Sequence, residues 1–132
     1  MKLLEGKVAI VTGAARGIGE AIAIKFAEQG ASVAFTYVSD SSAEKATALE
    51  AKLTGLGVKA KAYQSNAGDF SQCESFVADV LKEFGTIDIC VNNAGISKDN
   101  LLLRMSPEQS DDVIEFNLNS VLYMTKQIIK PM

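Results

Sequence analysis

Apolar and polar positions along the chain follow two alternating rhythms. Short apolar runs at Val8–Val11, Ser32–Tyr37, Lys59–Gln64 and Ile87–Val91 read as strands. Between and after them, Gly17–Gln29, Ala43–Leu56, Phe70–Phe84 and Pro107–Lys130 repeat apolar residues at helical spacing. A βαβαβαβα order predicts an α/β fold, a doubly wound parallel sheet with helices over its faces. The runs Val-Ala-Ile-Val and Ile-Asp-Ile-Cys-Val suit strands buried on both sides in the middle of such a sheet.

The helices carry stripes. Ile18, Ile22 and Phe26 fall four apart; Ala46, Leu49 and Leu53 share a face, as do Cys73, Phe76, Val77, Val80, Leu81 and Phe84. Each stripe is wide enough to cover one face of a sheet. The last helix differs. Ser106-Pro107-Glu108-Gln109 reads as a capping box with proline at the first helical position. Beyond it, Val113, Phe116, Val121, Met124 and Ile128 form one apolar band and Ile114, Leu118, Leu122 and Ile129 a second. A helix apolar on two sides is buried on two sides, so one band is expected on the sheet and the other on a partner subunit.

The chain of 132 residues has room for one domain with a real core and no linker or repeat divides it, so residues 1–132 are expected to form one unit. With 48% apolar and 22% charged residues the composition is that of a soluble globular protein. A net charge of −3 offers no long-range attraction to nucleic acid or to an anionic membrane, so neither is an expected partner. Any phosphate recognition must be local. No run approaches the ~20 apolar residues of a membrane helix. Glu5 and Lys7 break the opening apolar stretch, which argues against a signal peptide. Cys73 and Cys90 fall in a helical stripe and a strand run, and read as reduced packing groups in a cytoplasmic protein. The chain has no histidine, which excludes Ser-His-Asp and Cys-His catalysis, and two cysteines argue against a structural zinc site; no metal is expected.

The most informative segment joins the first strand to the first helix: Thr12-Gly13-Ala14-Ala15-Arg16-Gly17-Ile18-Gly19. A glycine loop that ends a strand and opens a helix presents backbone N–H groups and a positive helix end to an anion, the arrangement that Rossmann-type folds use for a dinucleotide pyrophosphate. Gly13 is expected to supply the tight turn, Gly17 the close backbone approach to the pyrophosphate and Gly19 close helix–strand packing. The spacing is G-x-x-x-G-x-G rather than G-x-G-x-x-G. Asn92-Asn93-Ala94-Gly95 closes a later strand. The second strand ends Phe35-Thr36-Tyr37-Val38-Ser39, with no carboxylate before Asp40. NAD-selective sites place an acid there for the ribose 2′-hydroxyl, whereas Arg16 is free to pair with a 2′-phosphate, which points to NADP(H). The other reading makes Arg16 a solvated loop charge and Asp40 the ribose ligand.

Thr-Gly-Ala-Ala-Arg-Gly-Ile-Gly together with Asn-Asn-Ala-Gly resembles the short-chain dehydrogenase/reductase family, over the whole chain as that family's amino-terminal half. The resemblance implies that Gly13, Ala14, Ala15, Arg16 and Ile18 line the phosphate and ribose site and that Thr36 and Tyr37 flank the adenosine phosphate. It also implies that Asn66 and Ala67 meet the adenine edge, and that Asn93, Ala94 and Gly95 lie beside the cofactor ribose. An acid is commoner at position 66, but an amide oxygen can still accept from the adenine amino group. Asn117, amid apolar residues, corresponds to the asparagine that holds a water in the proton relay; its other reading is a helix-packing amide.

Asn93-Ala94-Gly95-Ile96, the stretch Lys98 to Met105, and Ile114-Glu115-Phe116-Asn117-Leu118 are similar to the branch that reduces acyl-carrier-protein thioesters at the β-keto group with NADPH in fatty-acid elongation. Ser110 stands where relatives often have tryptophan. A sugar, steroid or small alcohol is the alternative substrate, and a non-catalytic nucleotide-binding module the alternative class. The family's chemistry needs an upstream serine and a tyrosine with lysine four residues on. Tyr37 is followed at that distance by Ser41, Tyr63 by Ala67 and Tyr123 by Gln127. These residues alone are therefore expected to bind dinucleotide weakly and to reduce nothing.

Overall fold

The computed structural model describes residues 2–94 and 121–129. Among the described residues up to 94, four strands and three long helices alternate: β1 (Val8–Val11), α1 (Gly17–Glu28), β2 (Ser32–Tyr37), α2 (Ala43–Gly55), β3 (Ala60–Gln64), α3 (Phe70–Phe84) and β4 (Ile89–Val91). A single 3₁₀ turn, Asp40–Ser42, leads into α2. All strand pairs are parallel and the order is β3-β2-β1-β4. The fold is thus a Rossmann-type doubly wound sheet. The chain steps outward from β1 to β3, then returns to the other side of β1. That reversal opens a crevice at the carboxyl ends of β1 and β4, where open α/β sheets bind their ligands.

Strand alternation separates the two cores. Ile10 and Ala34 point to one face, where they meet Cys73, Phe76, Val77 and Val80 of α3 and Met124 and Ile128 of the helical segment 121–129. Val11, Val33 and Phe35 point to the other, against Ala23 and Ala27 of α1 and Ala46, Leu49 and Leu53 of α2. Every residue of β1 is buried, as expected of a strand between two layers. The stripes of α2 and α3 lie where their spacing places them.

α1 departs from expectation by one position. Its buried residues are Gly19, Ala23 and Ala27, while Ile18 is 75% exposed and Ile22 and Phe26 only flank the core. Small residues four apart let the helix backbone approach the sheet closely; the larger side chains are displaced to its sides. The fourth strand is also shorter than the apolar run, because Ile87 is a buried core residue ahead of Ile89–Val91. Asp88 sets that start: its Oδ2 accepts from the Val8 N–H at 2.9 Å and its own N–H donates to the Val8 carbonyl at 2.8 Å.

In the segment 121–129, Met124 and Ile128 are buried, whereas Val121, Leu122 and Ile129 are exposed by 42, 53 and 68%. The Ser106–Gln109 capping box, Gly95, Asn117 and the apolar residues 113–118 lie outside the described residues.

Candidate dinucleotide site

The loop after β1 is held from three sides. Thr36 ends the buried part of β2, and its Oγ1 accepts from the Gly13 N–H at 3.0 Å while its carbonyl accepts from Ala14. Thr12 is buried, and its Oγ1 accepts from the N–H groups of Asn93 at 3.0 Å and Ala94 at 2.9 Å. Asn93 returns the link, Nδ2 donating to the Gly13 carbonyl at 3.0 Å. One hydroxyl and one amide thereby lock the loops after β1 and β4 together across the crevice.

Glycine is required here for two reasons. Gly13 and Gly17 have φ of +66° and +63°, a left-handed conformation costly for a residue with Cβ. A Cβ on Gly19 would stand 2.5 Å from Asn93 Nδ2 and 2.7 Å from the Gly13 carbonyl oxygen, so this glycine allows α1 to touch the loop after β4. A Cβ on Gly17 would meet nothing within 4 Å, because that position faces open space.

That space is a cavity of about 480 Å³ lined by Gly13, Ala15, Arg16, Gly17, Tyr37, Val38, Ser39, Ser42, Asn93 and Ala94. α1 opens onto it uncapped. Arg16, at the N-cap, is extended and makes no side-chain cap bond, and the first intrahelical bond runs from Glu20 to the Arg16 carbonyl. The N–H groups of the first turn are therefore left for an outside acceptor, at the positive end of the helix. The Arg16 side chain has no carboxylate partner among the described residues, where Lys59–Glu83 at 3.2 Å is the one ion pair. Among the described residues, no carboxylate lines the cavity.

The remaining expected residues divide. Gly13, Ala15, Arg16, Gly17, Tyr37, Asn93 and Ala94 meet at the cavity. Ala14 and Gly19 are buried beneath it, and Ile18 lies exposed in the first turn of α1. Thr36 does not line the wall; its hydroxyl is occupied with Gly13. Asn66 and Ala67 also lie outside the lining. Ala67 is buried, and the Asn66 Oδ1 accepts from the Gly68 N–H at 2.9 Å, which takes one of the two lone pairs expected for adenine. Sequence reasoning did not select Val38, Ser39 and Ser42 as site residues. The turn at 40–42 folds them onto the wall, and the run of small polar residues after β2 was the available signal.

Other titratable groups lie away from the cavity. Both cysteines are free thiols. Burial, with Asp69 nearby, pushes Cys73 up to about 11, and burial, with Cys73 nearby, pushes Cys90 up to about 11, so both stay protonated and inert at neutral pH. Tyr63 is raised to about 12 by burial and the neighbouring carboxylates Glu83, Asp79 and Glu50; its hydroxyl is enclosed without a partner among the described residues. Among the described residues there is no cluster of three metal-ligating side chains, and no helix is long and apolar enough to cross a membrane.

This sheet and this glycine crevice define an α/β protein of the Rossmann type. The chain belongs to the short-chain dehydrogenase family, whose model matches residues 7–132. It is 45% identical over 115 residues to 3-oxoacyl-[acyl-carrier-protein] reductase FabG of Staphylococcus aureus, covering 87% of this chain and 46% of that protein. It is 44% identical over 128 residues to the enzyme of the same name from Escherichia coli, covering 97% and 50%. The chain thus spans about half the length of the curated relatives it matches. Among solved structures, a blue fluorescent protein from a metagenomic library in complex with NADPH superposes with a TM-score of 0.90 at 37% identity, covering 98% of this chain and 52% of that one. A short-chain dehydrogenase from Burkholderia cenocepacia in complex with NADP gives 0.90 at 38%, covering 98% and 52%. NAD+-bound xylitol dehydrogenase gives 0.91 at 28%, covering 99% and 50%.

Proposed function

We propose that the cavity binds NADP(H) and that the protein to which these residues belong reduces 3-oxoacyl-[acyl-carrier-protein] to 3-hydroxyacyl-[acyl-carrier-protein]. The observation that carries this reading is the uncapped start of α1 facing a wall with an arginine, two serines and, among the described residues, no carboxylate. The N–H groups of the first turn of α1 would hold the diphosphate, since those of Gly13 and Ala14 are taken by Thr36, and Arg16 would pair with the 2′-phosphate. Tyr37 would border the adenosine, with Asn66 and Ala67 nearer the adenine edge. Asn93, Ala94 and Gly95 would lie beside the ribose, where small side chains leave room.

The reduced nicotinamide, when bound, supplies the hydride. The described residues would bind and orient the dinucleotide. Asn117 is assigned the relay water, on resemblance. The serine and the tyrosine–lysine pair are not in this sequence, so residues 1–132 alone are expected to bind weakly and to turn nothing over. The acyl-carrier-protein substrate is supported by the FabG relatives, and a cytoplasmic location is proposed on the same ground. The exposure of Val121, Leu122 and Ile129 supports self-association through the segment 107–130, which the sequence pattern predicts to be helical.

The test uses the full-length natural protein, titrated with NADPH and NADH and then assayed with an acetoacetyl thioester of acyl carrier protein and with polyols. Tighter binding of NADPH and faster turnover of the thioester are expected. Tighter NADH binding would overturn the cofactor reading, and preference for a polyol would overturn the substrate.

A further inference from the structure

We propose that Gln64, the last residue of β3, determines cofactor selectivity by holding the Asp40 carboxylate away from the cavity. The inference rests on the reading of the cavity as a dinucleotide site. Asp40 is the one acid between Ser32 and Ala43, and its neighbours Ser39 and Ser42 both line the wall. Asp40 does not. Its Oδ1 instead accepts from Gln64 Nε2 at 2.9 Å. The same amide nitrogen donates to the carbonyl of Val38, itself a wall residue, also at 2.9 Å. Both hydrogens of one amide are thus spent on a single loop, one anchoring the backbone and the other turning the carboxylate outward.

A carboxylate released on that loop has the reach to swing to the rim. There it repels a 2′-phosphate and accepts from a ribose 2′-hydroxyl, the interaction that favours NAD. Asp40 and Gln64 are both exposed, so solvent screening limits the effect to about fivefold in relative affinity. Gln64 makes no contact with the cavity; it acts through Asp40 as a positioning residue.

The experiment measures Kd for 2′,5′-ADP and 5′-AMP, and for NADPH and NADH, by calorimetry on the full-length protein. The wild type is expected to prefer the phosphate-bearing nucleotide of each pair. Q64A lowers that preference about fivefold, D40N in the Q64A background restores it, and D40N alone changes it less than about twofold. Q64L, which keeps the bulk, replaces Q64A if that variant does not fold. A preference unchanged in Q64A, or lost in Q64A and not recovered with D40N, overturns the latch. A wild type without preference overturns the NADP reading itself and the latch with it, and the two failures are distinguished in the first titration.

Discussion

Each of the three long helices begins just past the carboxyl end of a strand, and the first turns of α1 and α3 are completed in opposite ways. α3 is closed on itself. Asp69 caps it, accepting from the Gln72 N–H at 3.2 Å, and Gln72 turns back so that its Oε1 accepts from the Asn66 N–H at 2.8 Å and its Nε2 donates to Asp69 at 3.3 Å. α1 has an arginine at the N-cap that caps nothing, glycines at its first and third positions, and a cavity in front. A helix start whose donors are satisfied internally has little left to offer an anion; one left open stays incomplete until a ligand arrives. The same structural device is thus a stability element in one place and, on the function proposed above, a binding element in the other.

The comparison breaks most severely at Gly19. In G19V the added atoms collide with Asn93 and with the Gly13 backbone, which cannot yield as a flexible side chain would. Overpacking of this kind costs about 3 kcal/mol, and displacement of the loop weakens dinucleotide binding by about 100-fold or more. Thermal unfolding and NADPH titration measure the two. G55A is the control: a Cβ there meets nothing within 4 Å, so it leaves binding unchanged and stabilises α2 by about 0.5–1 kcal/mol. Equal effects of G19V and G55A would show that close approach at Gly19 is unimportant.

Next comes the clamp that keeps α1's loop in register with the loop after β4. T12V preserves shape but removes the hydroxyl that accepts from Asn93 and Ala94. Loss of that buried acceptor is expected to cost about 1–3 kcal/mol, read as a shift in urea midpoint with no change in slope. A shift below about 0.5 kcal/mol would mean that the two loops are held together by packing and Asn93 alone.

The sequence made the architecture legible because β1 is buried through its length and β2 from Val33 to Thr36, and their apolar runs stand clear of the helical stripes. It also marked Gly13, Gly17 and Gly19, since their place between a strand and a helix leaves few uses for three glycines. It erred where closeness rather than hydrophobicity decides. Ile18 was expected on the sheet, yet Gly19, Ala23 and Ala27 take that face because only small residues fit so near the strands. Polar direction was equally hidden. Thr36 and Tyr37 are adjacent, but strand alternation sends the threonine hydroxyl under the loop and the tyrosine to the wall. Val38, Ser39 and Ser42 reach the wall only because of a three-residue turn, and Asp40 misses it because Gln64, distant in sequence, holds its carboxylate.

Converting α1 into a helix of the α3 kind sharpens the contrast. R16D puts a capping carboxylate at the N-cap, where it can accept from the first-turn N–H groups that the diphosphate would otherwise take, and it reverses the charge facing a 2′-phosphate. NADPH affinity is expected to fall about 10–100-fold, while the protein without ligand unfolds at an equal or higher temperature. R16S separates the two contributions, retaining a cap without the negative charge. If R16D binds NADPH as the wild type does, the open helix start is not where the anion sits.

The smallest expected effect is the reverse operation on α3. D69A removes the cap and one partner of Gln72, at a cost of about 1 kcal/mol. The loop at 65–69 keeps the Asn66 N–H to Gln72 Oε1 bond and the Asn66 Oδ1 turn to Gly68, so it loosens without being dismantled. The ratio of NADPH to NADH affinity should therefore stay within about twofold of wild type even as stability falls. A changed ratio in D69A would tie the capped helix to anion recognition. The division between a helix start that serves stability and one that serves binding would then fail.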